Sequence, residues 1–287
     1  MTDSIAFLNN VFVPLAEAKI SPLDRGFLFG DGIYEVVPSY SGKMVGFAPH
    51  IQRMQNGLQE IGIDLDWTAA QWQSMCDELI TRNGKGNLGI YLHVSRGADD
   101  KRFHAYPDNI SPTIFAFAFE IAAPPVADKK SIKGYKVSLT EDLRWQRCHI
   151  KSTALLGNVM HFQQGHAQGK NETLLYNRNH ELTEASASNA YIVKDGTVYT
   201  PQLDNQILAG ITRYILLDAL RKEGSIPIVE RAITIDEVFA ADEVWITSSS
   251  KEIAPVIEVD SKVIGDGKVG DVWQAAQTIF SAHKFDY

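Results

Sequence analysis

A lysine in an apolar setting is the first candidate for chemistry. Lys151 lies within EDLRWQRCHIKSTALLGNVM, residues 141–160. Apolar residues flank it on both sides: Ile150, Leu155, Leu156, Val159 and Met160. We expect a lysine held there to lose hydration, and desolvation lowers the pKa of an ammonium group toward the range in which the free amine attacks a carbonyl. The alternative is that Lys151 extends from the rim of a buried element into water.

Three other stretches contain groups suited to binding a flat, anionic molecule. Glu184 lies in ELTEASASN, where small neighbours leave room for a ring, although an isolated acid there is also typical of a turn cap. Ile211 and Thr212 follow Gly210 at the predicted start of a helix, where free N–H groups and the helix dipole favour a phosphate. The hydroxyl run at 247–250 ends a predicted strand, and its alternative role is to cap the next segment.

Pyridoxal 5'-phosphate is a cofactor that needs all of these groups at once. It requires a lysine for its Schiff base, an acid that keeps the ring nitrogen protonated, and a phosphate site built from a helix start, hydroxyls and an arginine. The protonated ring withdraws electrons from the carbon whose C–H bond is broken. Glu184 is the candidate acid and Arg53 the candidate phosphate cation, although Arg53 taken alone has the character of a solvated surface residue.

The composition favours a protein that acts on small molecules. The chain has 287 residues and a net charge of -8, which disfavours a nucleic-acid or anionic-membrane partner. Cys76 and Cys148 have neither the spacing of a zinc site nor the number of a secreted disulfide framework, so no metal is expected. The amino terminus does not have the pattern of a signal peptide, and no stretch reaches membrane-spanning length. We therefore expect a cytoplasmic protein.

The order of predicted elements indicates an α+β protein of two domains. Residues 1–121 are predicted to form a smaller α/β domain and residues 134–287 a larger domain that carries the cofactor lysine. The stretch between them, residues 122–133, is rich in proline and charge and has the character of a linker.

Six motifs in order resemble one known family. They are RGFLFGDGIYEVV, HIQRM, EDLRWQRCHIKS, ELTEASASN, ILAGITR and TSSSKEIAPVIEVDSKV. Together they are similar to the fold-type IV pyridoxal-phosphate transaminases, and most closely to the D-amino acid aminotransferase branch of that family. The match extends from about Pro22 to about Gly270, so the resemblance implies a two-domain fold-type IV architecture for nearly the whole chain.

The resemblance also implies roles for individual residues. Lys151 matches the lysine that holds the cofactor and carries the proton between Cα and the cofactor. Glu184 matches the acid bonded to the pyridine nitrogen, and Leu208 matches the residue that packs against the ring. The phosphate-binding positions of the family are matched by Arg53, Ile211, Thr212 and Ser249. The neighbouring hydroxyl of Ser248 is predicted to bind the cofactor with them.

The same resemblance implies how a substrate carboxylate is held. Arg102 and His104 match an arginine and a histidine that reach in from the partner subunit, where they join a tyrosine that matches Tyr34. A guanidinium and an imidazole suit a carboxylate. A homodimer with a shared active site is therefore expected. The loop before Arg102 is one residue longer than the family pattern, so Arg96 and Lys251 are the next candidates.

The leading hypothesis is transfer of an amino group from a D-amino acid to a 2-oxo acid such as pyruvate or 2-oxoglutarate by a ping-pong route. The same cofactor would also serve a branched-chain L-amino acid transaminase, an (R)-amine transaminase or an aminodeoxychorismate lyase. A catalytically silent cofactor-binding module is a further alternative, but such a module has no chemical need for Lys151, Glu184 and Arg53 together.

Overall fold

The computed structural model describes residues 4–287 and divides into two compact units. Unit 1 comprises the described chain up to Ala123, the segment Ile150–Leu155 and Tyr287. Unit 2 comprises Pro124–His149 and Leu156–Asp286. Both units contain a sheet with helices, in agreement with the predicted α+β class.

Unit 1 is built on a six-stranded antiparallel sheet in the order β2-β1-β6-β5-β3-β4. Its elements are β1 (Ile5–Leu8), β2 (Val11–Pro14), a short 3₁₀ helix (Leu15–Glu17), α1 (Arg25–Phe29), β3 (Gly32–Tyr40), β4 (Lys43–Met44), α2 (Phe47–Glu60), α3 (Ala69–Asn83), β5 (Asn87–Ser95) and β6 (Thr113–Glu120). Residues of α2 and α3 form one buried cluster with those of β3, β5 and β6.

The alternation of β3 determines which of its side chains enter that core. Successive side chains of a strand point to opposite faces. Ile33, Glu35 and Val37 are fully buried, whereas Tyr34 and Val36 on the other face are half-buried, as the sequence pattern predicts.

Unit 2 contains a nine-stranded mixed sheet, with the main order β12-β11-β10-β13-β14-β7-β8-β9 and β15 paired to β14. Its elements are β7 (Tyr135–Glu141), α4 (Leu156–His166), β8 (Glu172–Tyr176), β9 (Leu182–Ala185), β10 (Asn189–Lys194), β11 (Thr197–Thr200), α5 (Ile211–Glu223), β12 (Ile228–Glu230), α6 (Ile235–Phe239), β13 (Glu243–Ser248), β14 (Glu252–Val259), β15 (Lys262–Val263) and α7 (Asp271–His283). Three strand pairs are parallel: β7–β8, β7–β14 and β11–β12.

The two units differ from the predicted domain boundaries in two places. The segment with Lys151 belongs to unit 1, because the N–H of Tyr34 donates to the carbonyl of Lys151 at 3.1 Å and Ser152 bridges to Ile33. The predicted linker belongs to unit 2 from Pro124 onward. The backbone N–H of Lys129 there donates to Gln274 of α7 at 3.0 Å.

Helix α4 also departs from the sequence interpretation. Leu156, Val159 and Met160, which follow Lys151 and suggested an apolar setting, are 72%, 58% and 65% exposed. The buried residues of this helix are His161 and Gly165, which lie on its opposite side. The helix therefore presents an apolar surface outward.

Across residues 4–287 the structure contains no helix that is both long enough and apolar enough to cross a membrane.

Candidate active site

Lys151 lies beside Tyr34 in unit 1. Its Nζ is 4.0 Å from the centre of the Tyr34 ring, a distance at which an ammonium group is attracted to the ring face. The segment passes close to the end of α1 at Gly30, where φ is +67° and an added Cβ would lie 2.9 Å from Ala154. Thr153 holds the same place by donating from Oγ1 to the carbonyl of Gly30 at 3.0 Å. The structure thus brings together the predicted cofactor lysine and the predicted substrate tyrosine.

A second aromatic residue extends this face of the sheet and was missed by the sequence analysis. Tyr91 of β5 stacks on Tyr34 with ring centres 5.8 Å apart, and its hydroxyl is hydrogen-bonded to His93 Nδ1 at 3.0 Å. Burial raises the pKa of Tyr91 to about 12, so its phenol stays protonated. The sequence signal was the alternation of β5, which places Tyr91 and His93 on one face; the pairing of Tyr91 with Val36 and of His93 with Tyr34 came only with the structure.

Arg53 is held by a carboxylate rather than exposed to solvent. Its Nε and Nη2 donate to the two oxygens of Glu35 at 2.7 and 2.6 Å, and its side chain is only 14% exposed. His50 lies 2.7 Å from Glu35 through Nδ1. Burial alone would raise the pKa of Glu35, but Arg53 and His50 outweigh it and lower the pKa to about 2. The predicted phosphate cation is therefore held by buried Glu35, which His50 contacts in turn.

The sequence carried a weak signal for this cluster. Glu35 occupies the buried face of β3 between Ile33 and Val37, and an acid at a core position requires a partner. Burial lowers the pKa of His50 more than Glu35 raises it, so His50 is neutral and donates from Nδ1 to the carboxylate.

Arg102 and His104 lie on an exposed loop of unit 1. Their side chains pack on the ring of Phe29, with the Arg102 guanidinium 5.1 Å and the His104 ring 5.3 Å from its centre. Buried Arg25 anchors the loop backbone, because it donates to the carbonyls of Phe103 at 2.6 Å and His104 at 3.1 Å. Arg102 and His104 are thus held together on the side of the loop that faces Phe29.

Arg96 has a structural role. Its Nε and Nη2 donate to Asp31 at 2.8 and 3.0 Å, and its Nη1 and Nη2 also donate to the carbonyls of Gly62 and Ile61. The side chain is 4% exposed. Because each of its three nitrogens is engaged within unit 1, Arg96 is a poor candidate for a substrate carboxylate.

Glu184 is the centre of a polar cluster in unit 2. Its Oε1 accepts from Arg144 Nη1 at 2.7 Å, and its Oε2 accepts from Asn189 Nδ2 at 3.2 Å and from the N–H of Leu208 at 3.1 Å. Burial raises the pKa of Glu184 to about 7, while the charge of Arg144 opposes that rise. Arg144 is itself paired with Asp142 at 2.7 Å. Since a carboxylate oxygen can accept two hydrogen bonds, Oε1 retains capacity for one more donor.

The start of α5 lies next to this cluster. Gly210 approaches Asn189 so closely that an added Cβ would lie 2.0 Å from Oδ1 of Asn189. The carbonyl of Leu208 accepts from the Asn189 amide at 2.8 Å. Helix α5 begins at Ile211 without a side-chain cap, so Ile211 and Thr212 open a helix whose first N–H groups and dipole suit an anion.

The hydroxyl run at 247–250 begins at the end of β13 in the same sheet and continues past it. Asn189 pairs with Thr247 across β10 and β13, so the strand end that carries Ser248 and Ser249 adjoins the start of β10. The Oγ of Ser248 is buried and has no hydrogen-bond partner among the described residues. A buried hydroxyl without a partner is costly, and a bound phosphate oxygen would satisfy it. The residues of unit 2 therefore fit the predicted cofactor: Glu184, Leu208, Ile211, Thr212, Ser248 and Ser249.

Lys251 has a buried acidic partner. Its Nζ lies 3.7 Å from the fully buried carboxylate of Glu172, which also accepts hydrogen bonds from Ser186 and Ser188.

Comparison with known proteins assigns the chain to a family. The model of the amino-transferase class IV family matches residues 32–259. This chain belongs to the class IV aminotransferases. It is 37% identical over 278 residues to a D-alanine aminotransferase of Staphylococcus haemolyticus, covering 96% of each sequence. It is 36% identical over 267 residues to one of Listeria monocytogenes serotype 1/2a, covering 92% of this chain and 91% of the relative. The predicted family and enzyme class are confirmed.

Solved structures confirm the fold of this aminotransferase. The branched-chain amino acid aminotransferase of Escherichia coli superposes with a TM-score of 0.87 at 20% identity, covering 98% of this chain and 94% of that one. The branched-chain aminotransferase of the archaeon Thermoproteus uzoniensis, solved with norvaline, superposes with a TM-score of 0.86 at 24% identity, covering 99% and 95%. At these identities the likeness shows the fold alone.

Proposed function

We propose that this aminotransferase uses pyridoxal 5'-phosphate to move the amino group of a D-amino acid, such as D-alanine, to a 2-oxo acid, such as pyruvate or 2-oxoglutarate, in the cytoplasm. The observation that carries the proposal is the 36–37% identity to D-alanine aminotransferases over more than nine-tenths of the chain. A branched-chain L-amino acid activity has weaker support, because the aminotransferases of that name share only 17–24% identity with this chain.

The residues of each unit suit the cofactor chemically. When bound, pyridoxal 5'-phosphate supplies a carbonyl for the amino group and a ring that withdraws electrons from the Cα–H bond. In unit 2, Glu184 is suited to hold a ring proton, because its carboxylate is buried and oriented by Arg144. The start of α5 and the Ser248 hydroxyl are suited to the phosphate.

Lys151 is the proposed catalytic residue. Its amine holds the cofactor, and when it is released and neutral its Nζ accepts the proton from the substrate Cα and returns a proton to complete the exchange. Tyr34, 4.0 Å away through its ring, limits the positions that Nζ can occupy. The hydrogen bond from the Tyr34 N–H to the Lys151 carbonyl fixes the backbones of the two residues side by side.

Arg102 and His104 are the proposed carboxylate-binding residues. Both are exposed, both rest on Phe29, and the buried Arg25 holds their loop. A guanidinium at a fixed loop position can bind a carboxylate through two parallel hydrogen bonds. Exposed placement agrees with a role toward a second subunit.

A homodimer is proposed, and the outward face of α4 supports it. Val159 and Met160 are among several large apolar side chains exposed there, and such clusters mark interaction surfaces. Replacing Val159 by Glu is expected to shift sedimentation toward the monomer and to lower activity. Gln168→Glu, an exposed change in the turn just after this helix and off the face that carries Met160, is the control. A fully active monomer would contradict the proposal.

A panel of amino donors tests the function directly. The purified protein is mixed separately with D-alanine, L-leucine, L-glutamate and an (R)-amine, while the absorbance of the bound cofactor is followed. Only a true donor converts the bound aldehyde into the amine form. We expect D-alanine to convert it fastest. Faster conversion by L-leucine would establish the branched-chain alternative, and a Lys151→Ala variant measures any background.

A further inference from the structure

A buried ion pair adjoins the turn between β13 and β14, which carries Ser248 and Ser249. Glu252, the first residue of β14, is 3% exposed. Its Oε1 accepts from Lys284 Nζ at 2.5 Å, and its Oε2 accepts from Gln277 Nε2 at 2.7 Å. Gln277 belongs to α7, and Lys284 follows its last residue. The C-terminal helix is therefore tied to the start of β14 through one carboxylate.

The backbone of Glu252 has an unusual conformation. Its φ is +54°, in the left-handed region that glycine and asparagine favour and that a glutamate rarely adopts. Glu252 pairs with Ser248 across β13 and β14, and the N–H of Lys251 donates to the carbonyl of Ser248 at 3.3 Å. A short turn of this kind usually carries glycine at its left-handed position. The side-chain contacts of Glu252 thus hold a backbone shape that its residue type disfavours.

We infer that Glu252, Lys284 and Gln277 are positioning residues that hold the Ser248–Ser249 hydroxyls in place for the cofactor phosphate, an inference that rests on the proposed function. The turn has the Ser248 hydroxyl on one side, buried without a partner among the described residues. On the other side of the turn, Glu252 is bound to Lys284 and Gln277. Non-glycine residues in such conformations persist where surrounding contacts over-determine them, and they cluster at ligand-binding positions.

Removing the Glu252–Lys284 ion pair should weaken cofactor binding specifically. In Glu252→Gln/Lys284→Met no charge is left buried alone, so the fold is retained, but the turn is no longer tied to α7 by an ion pair. Losing one hydrogen bond to the phosphate predicts a cofactor affinity lower by about ten-fold to about a hundred-fold. Turnover at saturating cofactor should change little, because neither residue touches the reacting atoms.

The chain offers a matched control on the same strand. Glu258 of β14 is paired with Lys170 at 2.7 Å, about 20 Å along the strand from Glu252. The control Glu258→Gln/Lys170→Met removes the same types of group from the same element at a distance from the serine turn. Its effect on the cofactor dissociation constant should be less than about two-fold, well below the loss of one hydrogen bond.

The experiment titrates cofactor-free protein with pyridoxal 5'-phosphate and follows the cofactor absorbance. Hydrogen exchange of the peptide that spans the turn is measured without cofactor. Support requires weaker binding and faster exchange at the turn in the Glu252 double variant alone, with turnover restored by excess cofactor. Unchanged affinity in that variant, or an equal loss in the control, overturns the inference. Failure of the unmodified protein to bind the cofactor overturns the proposed function as well, and is seen before any variant is compared.

Discussion

Replacing Glu35 by Gln tests the buried cluster that holds Arg53. The carboxylate of Glu35 accepts two hydrogen bonds from Arg53 and one from His50, and it is fully buried. A glutamine side chain is nearly the same size as a glutamate but carries no charge. The change therefore removes the ionic contact to Arg53 while it keeps the packing of β3 against α2.

The magnitude follows from the pKa of Glu35. The cluster lowers it from 4.5 to about 2, and at about 1.4 kcal/mol for each pH unit this difference corresponds to about 3 kcal/mol of stability at neutral pH. Because the folded-state pKa is depressed, the contribution is present above pH 4.5 and is lost as the pH falls toward 2. About 1 kcal/mol should already be lost near a pH of about 3.5.

Hydrogen exchange is the suitable assay because it reports the opening of unit 1 separately from unit 2. The free energy of opening is measured for amides of β3 and α2 in cofactor-free protein at neutral pH and near a pH of about 4. We expect Glu35→Gln to lower it by about 3 kcal/mol at neutral pH and by less at the lower pH. Glu78→Gln is a matched control, because its ion pair with Arg82 is exposed.

Two outcomes would refute this reasoning. A Glu35→Gln variant as stable as the unmodified protein at neutral pH would mean that the charge of Glu35 contributes nothing net. A destabilisation that does not change with pH would show that shape or hydrogen-bond geometry matters and that the ion pair does not.

Three further predictions concern the proposed chemistry. Lys151→Ala should abolish transamination in a folded protein, and borohydride reduction with peptide mapping should place the cofactor on Lys151 in the unmodified enzyme; a label on another lysine would contradict the assignment. Glu184→Gln should bind the cofactor but turn over slowly, because an amide cannot hold the ring proton; near-normal turnover would mean that the ring nitrogen has another partner. Arg102→Ala should weaken use of D-alanine by about thirty-fold to almost a thousand-fold, since a charge-assisted contact is worth about 2–4 kcal/mol. Use of an (R)-amine, which lacks a carboxylate, should weaken much less in the same variant. Equal weakening for both donors would place Arg102 outside the site.

The sequence by itself determined the family and much of the local structure. Motifs such as HIKS and ELTEASASN keep the residue types that the chemistry requires, and this information is local. The period-two pattern of β3 likewise determined that Ile33, Glu35 and Val37 share the buried face. The Asn9-Asn10 dipeptide, whose residue type tolerates a left-handed backbone, turns the first hairpin with positive φ values of 45° and 71°.

Tertiary structure alone decided which of these residues touch each other. Arg53 meets Glu35 across 18 residues, and Arg144 meets Glu184 across 40, because packing and strand register bring them together. A sequence pattern states which face a side chain occupies, but it does not state what lies opposite. For the same reason the apolar residues after Lys151 suggested a buried setting, whereas Leu156, Val159 and Met160 are exposed on α4. The Lys151 segment lies in unit 1, where its backbone is hydrogen-bonded to Tyr34, more than a hundred residues earlier in the chain.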